Sequence, residues 1–283
     1  MISLPSSDGV QLALHDFGGA GPPLLIAHAT GFHAHCYVPV ARELSAAYRC
    51  HAVDVRGHGE STVPEHWQVD WSRFGDDVVA AARHVRDGTG EPIVGVGHSM
   101  GGAALLMAAC REPELFTSLV LFEPIAFPSG DQRIDIHSVP IVQSALRRRR
   151  RFASVDDAHD NFRGKAPLSL MTPEVLRLYV EHGFRATTDD IGNPCVELRC
   201  TPELEAGIFV AARENGVWEL LPGVEIPVVV ASGVVEDDQP SARADGIAER
   251  LPDGRYVSLP HMTHLGPFSH PDEVAALVVR PGR

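Results

Sequence analysis

Val94-Gly95-Val96-Gly97-His98-Ser99-Met100-Gly101-Gly102 is the stretch whose reading decides the fold. A short apolar run, Pro92 to Val96, ends in Gly-x-Ser-x-Gly and passes directly into Ala103 to Ala109, which has the composition of a helix. A strand must therefore turn into a helix within a few residues. Such a reversal forces the serine into a strained backbone conformation, needs small residues on either side, and holds the hydroxyl out over the sheet edge. Ser99 is the candidate nucleophile. The competing readings are a structural Gly-rich packing turn or a phosphate loop. No Gly-x-Gly-x-x-Gly follows the first strand and no Walker-type loop occurs, so nothing nearby supports phosphate binding.

Working outward, the chain alternates strand and helix. Val10 to Asp16 alternates as a strand does, and Gly18-Gly19 with Gly21-Pro22-Pro23 are expected to close a hairpin onto Leu24 to Ala27. That second run is wholly apolar, as in a strand covered on both faces. Tyr37 to Ala47 reads as helix, Cys50 to Val53 as strand, and Phe74 to Arg86 as a helix with Val78, Ala82 and Val85 on one face. Asp76 and Asp77 are expected to sit near its positive end. Leu119 to Phe122 is a further strand, ending at Glu123-Pro124. The alternation implies a mostly parallel central sheet with helices on both faces.

The rhythm breaks from Phe127 to Pro222, where helix-like pieces such as Val142 to Phe152 and Pro173 to Gly183 are separated by Gly and Pro. A segment this long must carry structure of its own. It reads as a mainly helical cap, 127–222, inserted into a core made of 1–126 and 223–283, and its apolar residues, such as Leu170 and Phe184, are expected to set substrate choice. Alternation resumes with a strand at Pro227 to Ala231, a helix at Ser241 to Leu251, a strand at Arg255 to Leu259 and a helix from Pro271 to Val279.

Composition narrows the partners. The 283 residues are 44% hydrophobic, ample for a core, and carry 24 Lys and Arg against 37 Asp and Glu, a formal net charge of -13. That balance argues against nucleic acid and anionic membranes and leaves a small-molecule substrate. The one basic block, Arg147 to Arg151, reads as the solvated face of a helix. The five cysteines, Cys36, Cys50, Cys110, Cys195 and Cys200, have no C-x-x-C spacing and do not suggest a disulfide framework. With no signal-like N-terminus and no apolar run long enough to span a bilayer, a cytoplasmic setting is expected.

A serine hydroxyl needs a base within reach and a third group to orient that base. Among fifteen histidines, His264 follows the last strand, at the carboxyl edge where chemistry collects in open α/β sheets. His261 is its rival. Two carboxylates leave the same edge, Glu236 after the strand Pro227 to Ala231 and Glu123 before the insertion. Glu236 is favoured for its spacing, with Glu123 as the alternative and Asp237 and Asp238 as outsiders. His33-x-His35 and His261-x-x-His264 lack the helical His-Glu-x-x-His arrangement of zinc hydrolases, so no metal and no cofactor is expected.

On these residues the chain resembles the α/β-hydrolase superfamily across almost the whole core. The resemblance implies a triad in the chain order Ser99, Glu236, His264. It also implies an oxyanion hole from the N–H of Met100 and of Thr30, the latter in His28-Ala29-Thr30-Gly31-Phe32. The loop Asp54 to Ser61 matches the family's Asp-x-Arg-Gly-His-Gly-x-Ser, with a supporting role. Ala29 stands where glycine is usual, and Glu236 where aspartate is usual. A serine nucleophile excludes the epoxide hydrolase and haloalkane dehalogenase branches, which attack with aspartate. The implied activity is hydrolysis of a small to medium carboxylic ester through an acyl-enzyme. A lactonase, an amidase, a C–C bond hydrolase or a slow-turnover ligand-binding or signalling protein would keep the same residues.

Overall fold

The computed structural model describes residues 1–128, 139–237 and 239–279. The core strands are β1 (Ile2–Pro5), β2 (Gln11–Gly19), β3 (Pro23–Ala27), β4 (Arg49–Asp54), β5 (Ile93–His98) and β6 (Phe116–Phe122). Three short strands of the insertion follow, β7 (Arg151–Phe152), β8 (Phe184–Thr188) and β9 (Pro194–Leu198). Two more, β10 (Val228–Ser232) and β11 (Gly254–Ser258), complete the core. The core sheet has eight strands in the order β1-β2-β4-β3-β5-β6-β10-β11. All its pairings are parallel from β4 to β11, while β1 and β2 run antiparallel.

The expected hairpin between the first long strand and Leu24 to Ala27 does not form. β2 pairs with β4 instead, in register Ala13↔Asp54 to Gly19↔Arg49, and β3 lies between β4 and β5. Every residue of β3 is buried, which places it in the interior, since an apolar strand must be covered on both faces. The glycine turn serves the crossing. Gly19 and Gly21 have φ of 105° and 96°, and a Cβ on either would strike the carbonyls of Tyr48 and Ala47 respectively. Hydrogen bonds from Ala20 N–H to the Ser45 carbonyl and from Arg49 N–H to the Pro22 carbonyl then tie the turn beneath the next connection.

Helices α1 (Val38–Leu44), α2 (Ser72–Thr89) and α3 (Met100–Arg111) flank this part of the sheet. Residues 100–109 of α3 are all buried, as expected of a helix apolar on every side. Leu105 and Leu106 are completely covered, each contributing about 1.5–3 kcal/mol relative to an exposed side chain. On α2, Val78, Ala82 and Val85 are buried as the periodicity predicts. Asp76 and Asp77 fall too far along the helix to meet its N-terminal N–H groups, which concentrate their charge in the first turn. Asp77 is instead buried against Arg56, whose Nη2 lies 2.7 Å from its Oδ1, and Asp76 bonds Arg73 and Arg111.

The insertion is helical with one addition. It contains α4 (Pro140–Leu146), α5 (Val155–Phe162), α6 (Pro173–His182), α7 (Pro202–Ala211) and α8 (Val217–Leu220). Its sequence punctuates the longer helices: Thr172 and Thr201 cap α6 and α7 through Val175 N–H and Leu204 N–H, each followed by proline at the first position. The strands β7, β9 and β8 form an antiparallel sheet that the helix-like composition did not foretell. The helix expected from Val142 to Phe152 accordingly stops at Leu146. The arginine block is not a solvated helix face, because the insertion supplies buried acids for it. Arg150 and Arg151, joined by Arg185, converge on the buried Glu197 at 2.7, 3.1 and 2.9 Å, and Arg148 pairs with buried Glu205 at 3.1 Å. Phe152, Phe162, Tyr179 and Phe184 pack into one apolar cluster with Leu24, Ile26 and Tyr37 of the core. Helices α9 (Ala244–Arg250), α10 (Gly266–Ser269) and α11 (Pro271–Val279) complete the chain as described.

Candidate active site

The turn between β5 and α3 has the strain that its sequence requires. Ser99 has φ 55° and ψ -116°, a region that costs a non-glycine residue of order 1–3 kcal/mol and persists only where the surroundings impose it. Three hydrogen bonds and one close backbone approach impose it. Ser99 N–H donates to the Phe122 carbonyl, Ala103 N–H and Ile125 N–H both donate to the Ser99 carbonyl, and a Cβ at Gly97 would stand 2.6 Å from Gly102 Cα. The turn is thus stitched to the one that follows β6.

That second turn carries Glu123, also at positive φ (46°) and 1% exposed. Its N–H donates to the Ala231 carbonyl of β10. Its Oε1 accepts from Gly233 N–H at 2.8 Å, and its Oε2 lies 2.6 Å from His264 Nδ1. Glu236, the carboxylate favoured by spacing, stands elsewhere: it is exposed, and its N–H donates to Ser241 Oγ. The loop after β10 turns outward after Gly233, so its carboxylate meets solvent while its backbone N–H holds Glu123. Asp237 is exposed as well, and Asp238 lies outside the described residues. His261 is bonded to Glu273 at 3.0 Å, whereas His264 and Ser99 line one cavity of about 470 Å³.

A relay behind the site was not foreseen from the sequence. Ala29 N–H donates to Tyr37 Oη at 3.1 Å, Tyr37 O–H donates to His98 Nδ1 at 2.8 Å, and His98 Nε2–H donates to the His264 carbonyl at 2.8 Å. His98 is buried, and burial, with His264 nearby, holds it well below its ordinary pKa. It is therefore neutral, as a ring that both accepts and donates must be. The loop carrying Thr30 is thereby joined to the one carrying His264. The only sequence signal was His98 itself, beside the nucleophile; Tyr37 read simply as a helix start.

The loop 54–61 supports the same region. His28 Nε2 accepts from Val55 N–H at 3.1 Å, and His58 Nε2 accepts from Gly31 N–H at 3.1 Å. Burial lowers the two imidazoles to about 3 and about 4. Asp54 receives Ala34 N–H, Glu60 N–H and His15 Nε2 at 2.8, 2.9 and 3.0 Å. The residues flanking Thr30 are pinned on both sides, and Met100, first residue of α3, has an N–H with no partner inside its own helix. Beyond Ser99 and His264 the cavity is lined mainly by apolar groups, Ile125 after β6 and Phe127, Ile141 and Phe209 from the insertion, with Arg213 and Gln239 as polar lining. Leu170 and Phe184 are not among its lining residues, and Phe184 is instead buried in the cluster beneath the insertion.

A serine hydroxyl on a strained strand-to-helix turn, with an imidazole held by a buried carboxylate across the same sheet edge, is an arrangement that defines a class. The pattern of the alpha/beta hydrolase family matches residues 24–277, and the chain belongs to that family. It is accordingly a hydrolase by class. A monoglyceride lipase homolog of monkeypox virus is 29% identical over 214 residues, 74% of this chain and 69% of that protein. Human monoglyceride lipase is 32% identical over 136 residues, 45% of this chain and 44% of that one. Among solved structures, an E-2-(acetamidomethylene)succinate hydrolase superposes with a TM-score of 0.76 at 21% identity, over 98% of this chain and 97% of that one. An esterase from Thermogutta terrifontis superposes with a TM-score of 0.71 at 21% identity, over 98% and 96%. These two likenesses concern the fold. No helix among the described residues is long and apolar enough to cross a membrane.

Proposed function

We propose that the chain is a serine hydrolase that cleaves a small to medium carboxylic ester through an acyl-enzyme. The observation that carries this reading is the 2.6 Å contact between Glu123 and His264 Nδ1 beside a cavity shared with Ser99. Glu123 accepts a hydrogen bond from Nδ1–H and so leaves Nε2 of His264 as the base. Ser99 Oγ attacks the ester carbonyl, its proton passes to Nε2, and the oxyanion is received by the N–H groups of Thr30 and Met100. His264 then protonates the departing alcohol and, in the second half, activates the water that frees the acid. Each oxyanion donor is worth about a hundredfold to a thousandfold in rate in sites of this kind. Residues 127–222 act as the cap that selects substrate, Ile141 and Phe209 being its contributions to the acyl pocket. The names of the viral and human relatives favour an ester as substrate, and the apolar lining favours an acyl chain.

A fluorophosphonate probe followed by peptide mass spectrometry tests the reading. The label is expected on the peptide bearing Ser99, and Ser99→Ala should abolish both labelling and hydrolysis of p-nitrophenyl esters. Full activity in Ser99→Ala would overturn the assignment.

A further inference from the structure

We propose that His261, His270 and Glu273 form a binding site for a divalent transition-metal ion, Zn²⁺ being the best match, at the two ends of the segment that carries His264. Each side chain presents one ligand atom, and these atoms all lie within 4.8 Å of one another. His261 Nε2 stands 3.1 and 3.0 Å from Oε1 and Oε2 of Glu273. Two ligand atoms each about 2 Å from a tetrahedral Zn²⁺ are about 3.3 Å apart, so this pair needs to open by only a few tenths of an ångström. The His261 and His270 rings meet edge to face, with centroids 5.4 Å apart and planes at 84°.

The surroundings fix the ligands. His270 Nδ1 is hydrogen-bonded to Ser269 Oγ at 2.8 Å, and a partner on one ring nitrogen sets the orientation in which the other meets a metal. His270 N–H donates to the Gly266 carbonyl and Val274 N–H to the His270 carbonyl, which joins His270 to the turn that bears Glu273. Met262 N–H donates to the Leu259 carbonyl and fixes the turn at His261. Two imidazoles and one carboxylate suit Zn²⁺, Ni²⁺ or Cu²⁺ and disfavour Mg²⁺ and Ca²⁺. A plain surface ion pair accounts for His261 and Glu273, whose side chains are 49% and 42% exposed, but such a pair contributes little and gives no role to His270.

His261 precedes His264 in the chain, and His270 with Glu273 follow it. An ion held by all three links the ends of this segment and stiffens it without entering the chemistry. The metal site stands on its own geometry; only this effect on His264 rests on the function proposed above. Chelator-stripped full-length protein should take up one equivalent of Zn²⁺ in equilibrium dialysis read by elemental analysis. His270→Ala and Glu273→Gln should each weaken that uptake by about tenfold or more, whereas His66→Ala, at an exposed histidine beside Glu65, should leave it unchanged. Zn²⁺ should raise the Tm of the wild type and not that of His270→Ala. No saturable equivalent in the wild type, or full uptake by both His270→Ala and Glu273→Gln, overturns the proposal. Neither readout involves ester hydrolysis, so failure here and failure of the hydrolase reading are separable.

Discussion

The turns after β6 and β10 leave neighbouring strands at one sheet edge, and each presents a glutamate within a few residues of the strand end. Glu123 is buried in a left-handed backbone conformation with both carboxylate oxygens engaged, whereas Glu236 reaches solvent. The β10 turn nevertheless matters, because Gly233 N–H fills the second site of Glu123. A Cβ on Gly233 would strike the carbonyl of Met262, in the loop that leads to His264. One turn supplies the carboxylate and the other its cradle. Distance along the chain does not separate these roles; burial does, because a buried carboxylate must have its lone pairs satisfied.

The largest expected effect breaks this comparison directly. Glu123→Gln keeps the size of the side chain, but its single amide oxygen cannot accept from both Gly233 N–H and His264 Nδ1–H, and the NH₂ then faces one of those donors. It should cut kcat by up to about ten-thousandfold with KM nearly unchanged, while Glu236→Gln stays near wild type in steady-state ester kinetics. The reverse pattern would move the acid to the β10 turn.

Acid stability extends the contrast between buried and exposed groups. His28, His33 and His58 are buried, and burial lowers them to about 3, about 4 and about 4. An unfolded chain, with histidines near 6.5, binds protons that the folded state refuses. Their stabilising contribution is therefore complete above pH 6.5 and declines as pH falls from there toward 4. At pH 5 each costs about 2 kcal/mol relative to pH 7.5. Calorimetry should show Tm falling steadily between pH 6.5 and pH 5, and a flat Tm across that range would contradict the buried neutral assignment.

Tyr37→Phe sharpens the comparison from behind. It removes the acceptor of Ala29 N–H and the donor to His98 Nδ1, leaving two buried groups unpaired at about 1–3 kcal/mol apiece. Both Tm and kcat should drop, kcat by about tenfold, since the relay ends on the His264 carbonyl. A lower Tm with unchanged kcat would make the relay structural only. Smallest is the insertion's effect: Ile141→Ala should shift the kcat/KM ratio between short and long acyl esters by about tenfold, the scale of small apolar differences in a pocket. Leu170→Ala, at the surface, should shift it hardly at all, and equal shifts from both would argue against the lining described.

Legibility followed locality. Ser99 and the helix after it were readable because the strained turn and its small flanking residues are a single contiguous pattern. The face of α2 was readable because period 3.6 survives in sequence. The pairing of β2 with β4 was hidden, since two glycines signal a turn without saying where the chain goes next. The insertion's small sheet was hidden too, because Phe184 to Thr188 and Pro194 to Leu198 are only five residues each, too short for their alternation to stand out among the helix-like pieces around them.

The sequence by itself determined the alternating α/β core, the position of Ser99 and His264 at strand ends, and the length of the interruption between β6 and β10, because backbone propensity and apolar periodicity are properties of neighbours in the chain. Only the tertiary structure decided that Glu123 rather than Glu236 meets His264, that Tyr37 and His98 join two loops, and that Ile141 rather than Leu170 lines the cavity with Ser99. Those outcomes depend on which groups lose water together, and burial is set by residues 61 to 166 positions apart in the chain.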